Sequence, residues 1–515
     1  MSTNRKIAHA SLILIAASAG CHALGLVKEI MVAGCFGITR AMDAFYAALA
    51  IPSLINNVLL STFGAVFIPV YVRHSLADGA EANRIASAAL RRLGFILALA
   101  ASALFIGAPA VIGCGFRGLS PEGVALAVRI LRIAAFTMVL SGMAGALSGI
   151  LNAHGHFLWP ALSPLCITLV TIAFIALDAR TRGVMTLAWG LCAGLVAQCA
   201  VLLIAARREG FRPGLAGARG HPALREMTSG ALLFVIGITA AQINIFVDSV
   251  MASYLMPGSL AALSYAAKLV MVPIAIFTAS LATAVFPFFS MQAAGDRIGE
   301  MKDSLAKSIR MAGFIFLPMT AALVILARPL IGLLFQRGAF DRGATDLTSA
   351  IFACYALQLF FYTVCIILVR AHLAFRDMGI LIRVAFAGVG MNIALNLLFI
   401  LLIHPPAAGI ALSTSLVQVI AMGMFYRPLA RRIGSLGGRG IIPGLLWISL
   451  CTAAMAGGMC LVMAACRASA CGPAARMAAA VCAGISIFTG AARALGVEEL
   501  GCVSRLIRNW RTEVA

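Results

Sequence analysis

From residue 8 to residue 495 the chain is one apolar stretch after another, parted by short clusters of charge, Gly or Pro. Each stretch has the roughly 20 residues that a helix needs to cross a bilayer. A soluble fold cannot hide them, because 62% of the 515 residues are hydrophobic and 11% are charged, against roughly 45–50% and about 25% in soluble domains. Disorder is excluded by the same balance, since disordered chains are poor in apolar residues and rich in charge. Lipid demands that each backbone polar group be satisfied within its own segment, which leaves helices. The stretches run 8–34, 42–71, 90–115, 122–152, 157–177, 184–206, 228–254, 260–289, 308–335, 346–370, 378–403, 407–426, 441–465 and 474–495. They predict an all-α polytopic membrane protein of about 14 transmembrane helices.

Basic residues test that count, because positive charge concentrates in cytoplasmic loops. With the N-terminus inside, 25 Lys and Arg fall on cytoplasmic segments, from Arg5 and Lys6 to Arg511. Only 8 fall on the other side: Arg40, Arg117, Arg180, Arg182, Arg337, Arg342, Arg467 and Arg476. The bias predicts both termini in the cytoplasm. It also accounts for most of the net charge of +21 without nucleic acid, since the cations are spread over loops rather than gathered with aromatics on one face. The basic start followed by an apolar run is compatible with a signal peptide, but the run continues past residue 30, which points to an uncleaved first helix. The 14 cysteines form no CxxC pair and read as small buried hydrophobes.

An internal repeat organises the stretches. At an offset of 219 residues Glu29 falls on Asp248, Tyr46-Ala47-Ala48 on Tyr265-Ala266-Ala267, and Ala65-Val66-Phe67 on Ala284-Val285-Phe286. At 218, Ala153-His154 and Phe157 fall on Ala371-His372 and Phe375. The repeat relates helices 1–6 to helices 7–12; an even number per unit makes it a parallel repeat, with two six-helix lobes about an axis along the membrane normal. The expected division is an N-lobe over 1–206, a basic cytoplasmic linker over 207–227, a C-lobe over 228–432, two C-terminal helices over 433–497 and a cytoplasmic tail over 498–515.

Ionisable residues inside a span are costly and face a cavity or a partner. His22, Lys28 and Glu29 put a polar stripe on helix 1, Asp43 opens helix 2, Asp248 lies in helix 7 and Lys268 in helix 8. For Lys28, ligand contact competes with a structural salt bridge to Glu29 or Asp43. Arg129, Arg132, Arg328 and Arg383 read as snorkelling residues. Asn56 and Asn57 follow Pro52 in helix 2, and Asn392 and Asn396 share one face of helix 11. Amide oxygens with one carboxylate could coordinate a sodium ion; the competing reading is hydrogen bonding between helices.

The stretch GLVKEIMVAGCFGITRAMDAFYAALAIPSLINNVLLSTFGAVFIPVY, Gly25 to Tyr71, resembles the N-terminal signature of the MurJ (MviN) lipid II flippases. SGILNAHGHFLWPALSP, ending at Pro164, is similar to that family's junction of helices 4 and 5, LFQRGAFD at 334–341 to another of its segments, and VRAHLAFRD and MNIALNLLF to its helices 10 and 11. The resemblance implies the fold of the multidrug/oligosaccharidyl-lipid/polysaccharide exporter superfamily. It implies transport of an undecaprenyl-pyrophosphate-linked sugar precursor for peptidoglycan across the bacterial inner membrane, with no covalent chemistry. The family's cavity arginines correspond to His22, Lys28, one of Asn56 and Asn57, and Lys268, so the cavity keeps its sign of charge but loses bidentate grip. The family's sodium site maps onto Asp248, Asn392, Asn396 and Thr414. No cofactor is expected beyond coupling to sodium or to the membrane potential. The expected partners are the lipid-linked glycan, membrane lipids and the cell-wall synthesis machinery.

Other functions fit less well. An exporter of another lipid-linked oligosaccharide, such as an exopolysaccharide or O-antigen unit, is the nearest alternative, and a drug antiporter would sooner show cavity carboxylates than Lys28 and Lys268. A glycan ligase or polymerase needs acid or base groups on sizeable external loops, whereas these loops are short. An idle scaffold would explain the altered arginines.

Overall fold

The structure is a computed structural model describing residues 3–75, 79–211, 242–435, 440–467 and 472–501, with 235 and 239. The expected linker from 212 onward, most of 228–241 and the tail from 502 onward lie outside the described residues. Among the described residues the chain is helical, without strands. Twelve helices there are long and apolar enough to cross a membrane, and they fall on twelve of the predicted stretches. Of the other two predictions, 8–34 falls on α1, helical over Thr3–Phe36, and 228–254 lies partly outside the described residues, with α7 helical over 242–253.

In chain order the remaining helices are α2 (Arg40–Ser75), α3 (Gly79–Gly115), α4 (Pro121–Ala153), α5 (Leu158–Arg182), α6 (Met185–Arg208) and α8 (Ser259–Ala294). Then come α9 (Ile298–Ile325), α10 (Arg342–Ala374), α11 (Met378–Leu402), α12 (Pro406–Ile433), α13 (Ile441–Arg467) and α14 (Pro473–Ala494). Local chemistry sets many ends. At α4, the Ser120 side chain accepts the Gly123 amide at 3.2 Å, Pro121 takes the first helical position and Glu122 sits in the first turn. The stretch predicted over 308–335 is broken: α9 ends at Ile325 and a short helix covers Ala327–Phe335. Pro329 cannot donate to the Ile325 carbonyl, so the helix ends there.

Packing divides the chain into two compact units, Met1–Ala261 with Arg337–Asp341, and Ala262–Gln336 with Arg342–Ala515. In the first, α4 is the central post, packed on α2, α3 and α6. Its buried positions are mostly small, including Ala127, Ala134, Ala135, Gly142, Ala144, Ala146 and Gly149. Lipid tails give helices no hydrophobic reason to associate, so close approach of backbones through small residues supplies the contact. In the second unit α10 packs on α8, α9 and α12, and the α13–α14 pair packs on α9 through a core including Phe314, Ile448, Met455 and Phe488.

Candidate functional site

The predicted polar residues of the first unit lie on α1 and α2. His22 is exposed on α1. The Lys28 ammonium lies 3.0 Å from Glu29 Oε1, with both side chains only partly accessible. Of the two structural partners considered for Lys28, the ion pair is therefore with its neighbour Glu29. Such a pair lowers the cost of holding both charges at membrane depth while leaving the ammonium's other donors open to an anion.

Asp43 makes backbone contacts. Its Oδ2 accepts the Gly258 amide at 2.5 Å and its Oδ1 accepts the Ala261 amide at 2.8 Å. The carboxylate thus satisfies amides at the start of α8, which have no partner inside their own helix. Gly258 has φ +89°, and a Cβ there would run into the Ile38 carbonyl. The Arg337–Asp341 turn docks on the same region, with the Ala339 amide donating to Gly34 O at 2.8 Å. Gly338 (φ +55°) leaves no room for a Cβ beside that carbonyl.

One turn beyond Pro52 the asparagine pair splits its roles. Asn57 Nδ2 donates to Gln242 Oε1 on α7 at 3.1 Å. Asn56 Oδ1 is buried and accepts no hydrogen bond, and the same holds for Asn244 Oδ1. Gln242 and Asn244 were not singled out from the sequence. The signal was present, because Asn244 lies four residues before Asp248 and shares its helical face.

In the second unit Lys268 is exposed on α8. Asn392 and Asn396 are 1% and 0% exposed, and Asn396 Nδ2 donates to Asn392 Oδ1 at 3.2 Å. Thr414 Oγ1 donates back to Ile410 O at 3.1 Å. Asp248, the remaining member of the proposed ion set, belongs to the first unit and is 9% exposed. Among the described residues no cluster of three or more His, Cys, Asp or Glu could hold a metal, and the twelve described cysteines are free.

Three of the four arginines read as snorkelling have specific neighbours. The Arg132 guanidinium lies 5.3 Å from the Phe105 ring centroid, Arg328 pairs with Asp346 at 2.7 Å, and Arg383 Nε donates to Gly379 O at 3.3 Å.

A family model described as lipid II flippase MurJ matches residues 32–470, which takes in both units. The chain belongs to the MurJ family. Among its relatives, a probable lipid II flippase MurJ of Synechocystis is 27% identical over 453 residues, 85% of this chain and 84% of the relative. The lipid II flippase MurJ of Burkholderia cenocepacia is 27% identical over 419 residues, 79% of this chain and 81% of the relative. A solved MurJ structure in an inward closed conformation has the same fold, with a TM-score of 0.78 at 22% identity over 94% of this chain and 98% of that one. A multidrug transporter of the MATE family has a TM-score of 0.68 at 13% identity, covering 83% of this chain and 99% of that one. As a MurJ family member the chain is a multi-pass membrane protein of a transporter family, not of a family of enzymes.

Proposed function

We propose that the protein flips lipid II, an undecaprenyl-pyrophosphate-linked peptidoglycan precursor, from the inner to the outer leaflet of the bacterial cytoplasmic membrane by alternating access. The observation that carries this reading is the family match through both units. In this reading the termini are cytoplasmic, as the basic loops indicate.

The diphosphate needs cations held away from hydrocarbon, and each unit offers one: Lys28 on α1 and Lys268 on α8. Lysine meets a phosphate as a point charge with three rotatable donors, where arginine would clamp it in a plane. His22 adds a donor on α1. Where the family pattern has an arginine, the α2 amides are neutral; the buried, unbonded Asn56 oxygen and the Asn57–Gln242 pair then suit sugar hydroxyls and amide N–H groups. Asp248, Asn392, Asn396 and Thr414 are proposed to bind the coupling sodium ion. Cell-wall synthesis enzymes are proposed as partners on the receiving side.

Complementation tests the reading. A cell depleted of its own lipid II flippase should grow when it carries this chain, correctly inserted, and failure to rescue overturns the assignment. Lys268→Ala should abolish rescue and Lys268→Arg restore it; full rescue by the alanine variant removes this residue from the site. Sodium should raise the thermal stability of the purified protein, and Asp248→Asn should erase that shift. A sodium response left intact would sink the ion site.

A further inference from the structure

The first unit carries a furrow lined by none of the residues of the candidate transport site. α3 and α6 both pack on α4, and the space between them over α4 is a cavity of about 510 Å³, walled by Leu90, Arg91 and Gly94 of α3, Met143 and Leu147 of α4 and Leu203 of α6. A second cavity of about 360 Å³ continues along the same two helices, between Ala98, Ala101 and Phe105 of α3 and Ala135, Phe136 and Val139 of α4. The α3 positions 87, 91, 94, 98, 101 and 105 follow one another at three- and four-residue spacing, so the two cavities lie on one helical face. At 1.5 Å per residue the furrow from Ser87 to Ile106 is about 28 Å long, close to the roughly 30 Å of a bilayer's hydrocarbon.

In its wider part the furrow carries a basic rim; in its narrower part the Arg132 guanidinium lies 5.3 Å from the Phe105 ring centroid. Arg91 belongs to the wall, Arg84 lies one heptad before it on the same face of α3, and Arg207 lies one turn beyond Leu203 on α6; all three are exposed. Among the described residues no acidic side chain lines either cavity. On the same helices Glu81 precedes Arg84 on α3, and Glu209 follows Arg207 and pairs with His156 at 2.7 Å. A basic rim over an apolar slot between transmembrane helices is the chemistry that recognises an anionic phospholipid. The cavity falls within the range of about 300–1,000 Å³ usual for small-molecule sites, and Met143 gives its wall a side chain that adapts to a flexible chain.

We propose that this furrow is a binding site for an anionic glycerophospholipid, with the phosphate at Arg91 and Arg207 and an acyl chain laid along α3 and α4. The lipid completes a three-helix wall that α3 and α6 leave open. The site is independent of the flippase reading, since none of its residues belongs to the candidate transport site.

Native mass spectrometry of the full chain tests it, with palmitoyl-oleoyl phosphatidylglycerol and phosphatidylcholine offered in equal amounts. Wild type should retain one phosphatidylglycerol with about a tenfold preference, the equivalent of 1.4 kcal/mol. The R91E/R207E variant should lose the preference, and R91K/R207K should keep it. Gly94→Leu should lower retention of both lipids. A Cβ at Gly94 meets only Met143 Sδ, at 3.6 Å, so the larger side chain grows into the slot without displacing backbone, and an unchanged circular dichroism spectrum would verify the fold. Equal retention of the two lipids by wild type, or retention untouched by both R91E/R207E and Gly94→Leu, overturns the site. If polyprenyl phosphate displaces phosphatidylglycerol from wild type at equal concentration and Gly94→Leu abolishes that binding, the furrow holds a prenyl tail and the proposed occupant is wrong.

Discussion

Two polar groups, one from each unit, are held in opposite ways. In the first, on α1, Lys28 and Glu29 pair with partial exposure, and His22 is open. In the second, Asn392 and Asn396 are sealed from solvent, neutral, and bonded to each other. Partly exposed charges can trade partners with a passing anion, while sealed amides can exchange only with something small enough to enter. The comparison separates residues suited to a large, charged headgroup from residues suited to an ion or to structure alone.

The sharpest way to break it is Lys28→Glu. If the first unit handles the anion, this variant should lose transport by about tenfold or more, which is 1.4 kcal/mol or more of binding, in a fluorescent lipid II translocation assay with reconstituted vesicles. Lys28→Arg should retain activity. Normal transport by Lys28→Glu would make the Lys28–Glu29 pair purely structural.

Asp43→Ala should come next. It strips the acceptor from the Gly258 and Ala261 amides, and loss of a helix cap costs about 0.5–2 kcal/mol. A lowered melting temperature with the helix content preserved is the expected result. Asn396→Leu tests the sealed pair in the second unit. It should cost about 0.5–1.5 kcal/mol, the net worth of a side-chain hydrogen bond, read as thermal stability in sodium-free detergent. Asn392→Leu/Asn396→Leu should recover part of that loss, because no buried amide is then stranded. If the double variant is worse than the sum, the pair does more than bond to itself. The smallest effect belongs to Arg328→Ala. The Arg328–Asp346 pair is mostly exposed, and exposed ion pairs contribute about 0.2–1 kcal/mol, so melting should barely move.

How far the sequence reveals these features depends on whether a side chain or the backbone makes the contact. Helix positions were legible because apolar length is a property of the sequence itself; the break after Ile325 was missed because Pro329 sits inside an otherwise unbroken apolar run. The Lys28–Glu29 pair could be anticipated from adjacency, and Asn392 with Asn396 from helical spacing. Nothing comparable marks the partners of Asp43, since they are main-chain amides 215 and 218 residues away and every residue except proline carries that donor. Gln242 and Asn244 were legible by the spacing rule applied to Asn392 and Asn396, since Asn244 stands one turn before Asp248 in the 228–254 stretch. The furrow could not be read from α3 alone, because it exists only where α6 stands apart from α3 on a shared floor.

The main-chain identity of Asp43's partners has an evolutionary side. Sequence drift around 258–261 can change almost every side chain without touching the two N–H groups that Asp43 holds. At Ala261 only proline removes the donor; at Gly258 the constraint is instead the lack of room for a Cβ. The attachment is therefore vulnerable from one side, through residue 43 itself, and tolerant from the other. A survey of variants should find position 43 far less permissive than Leu260 or Ala261, although all three belong to the same contact.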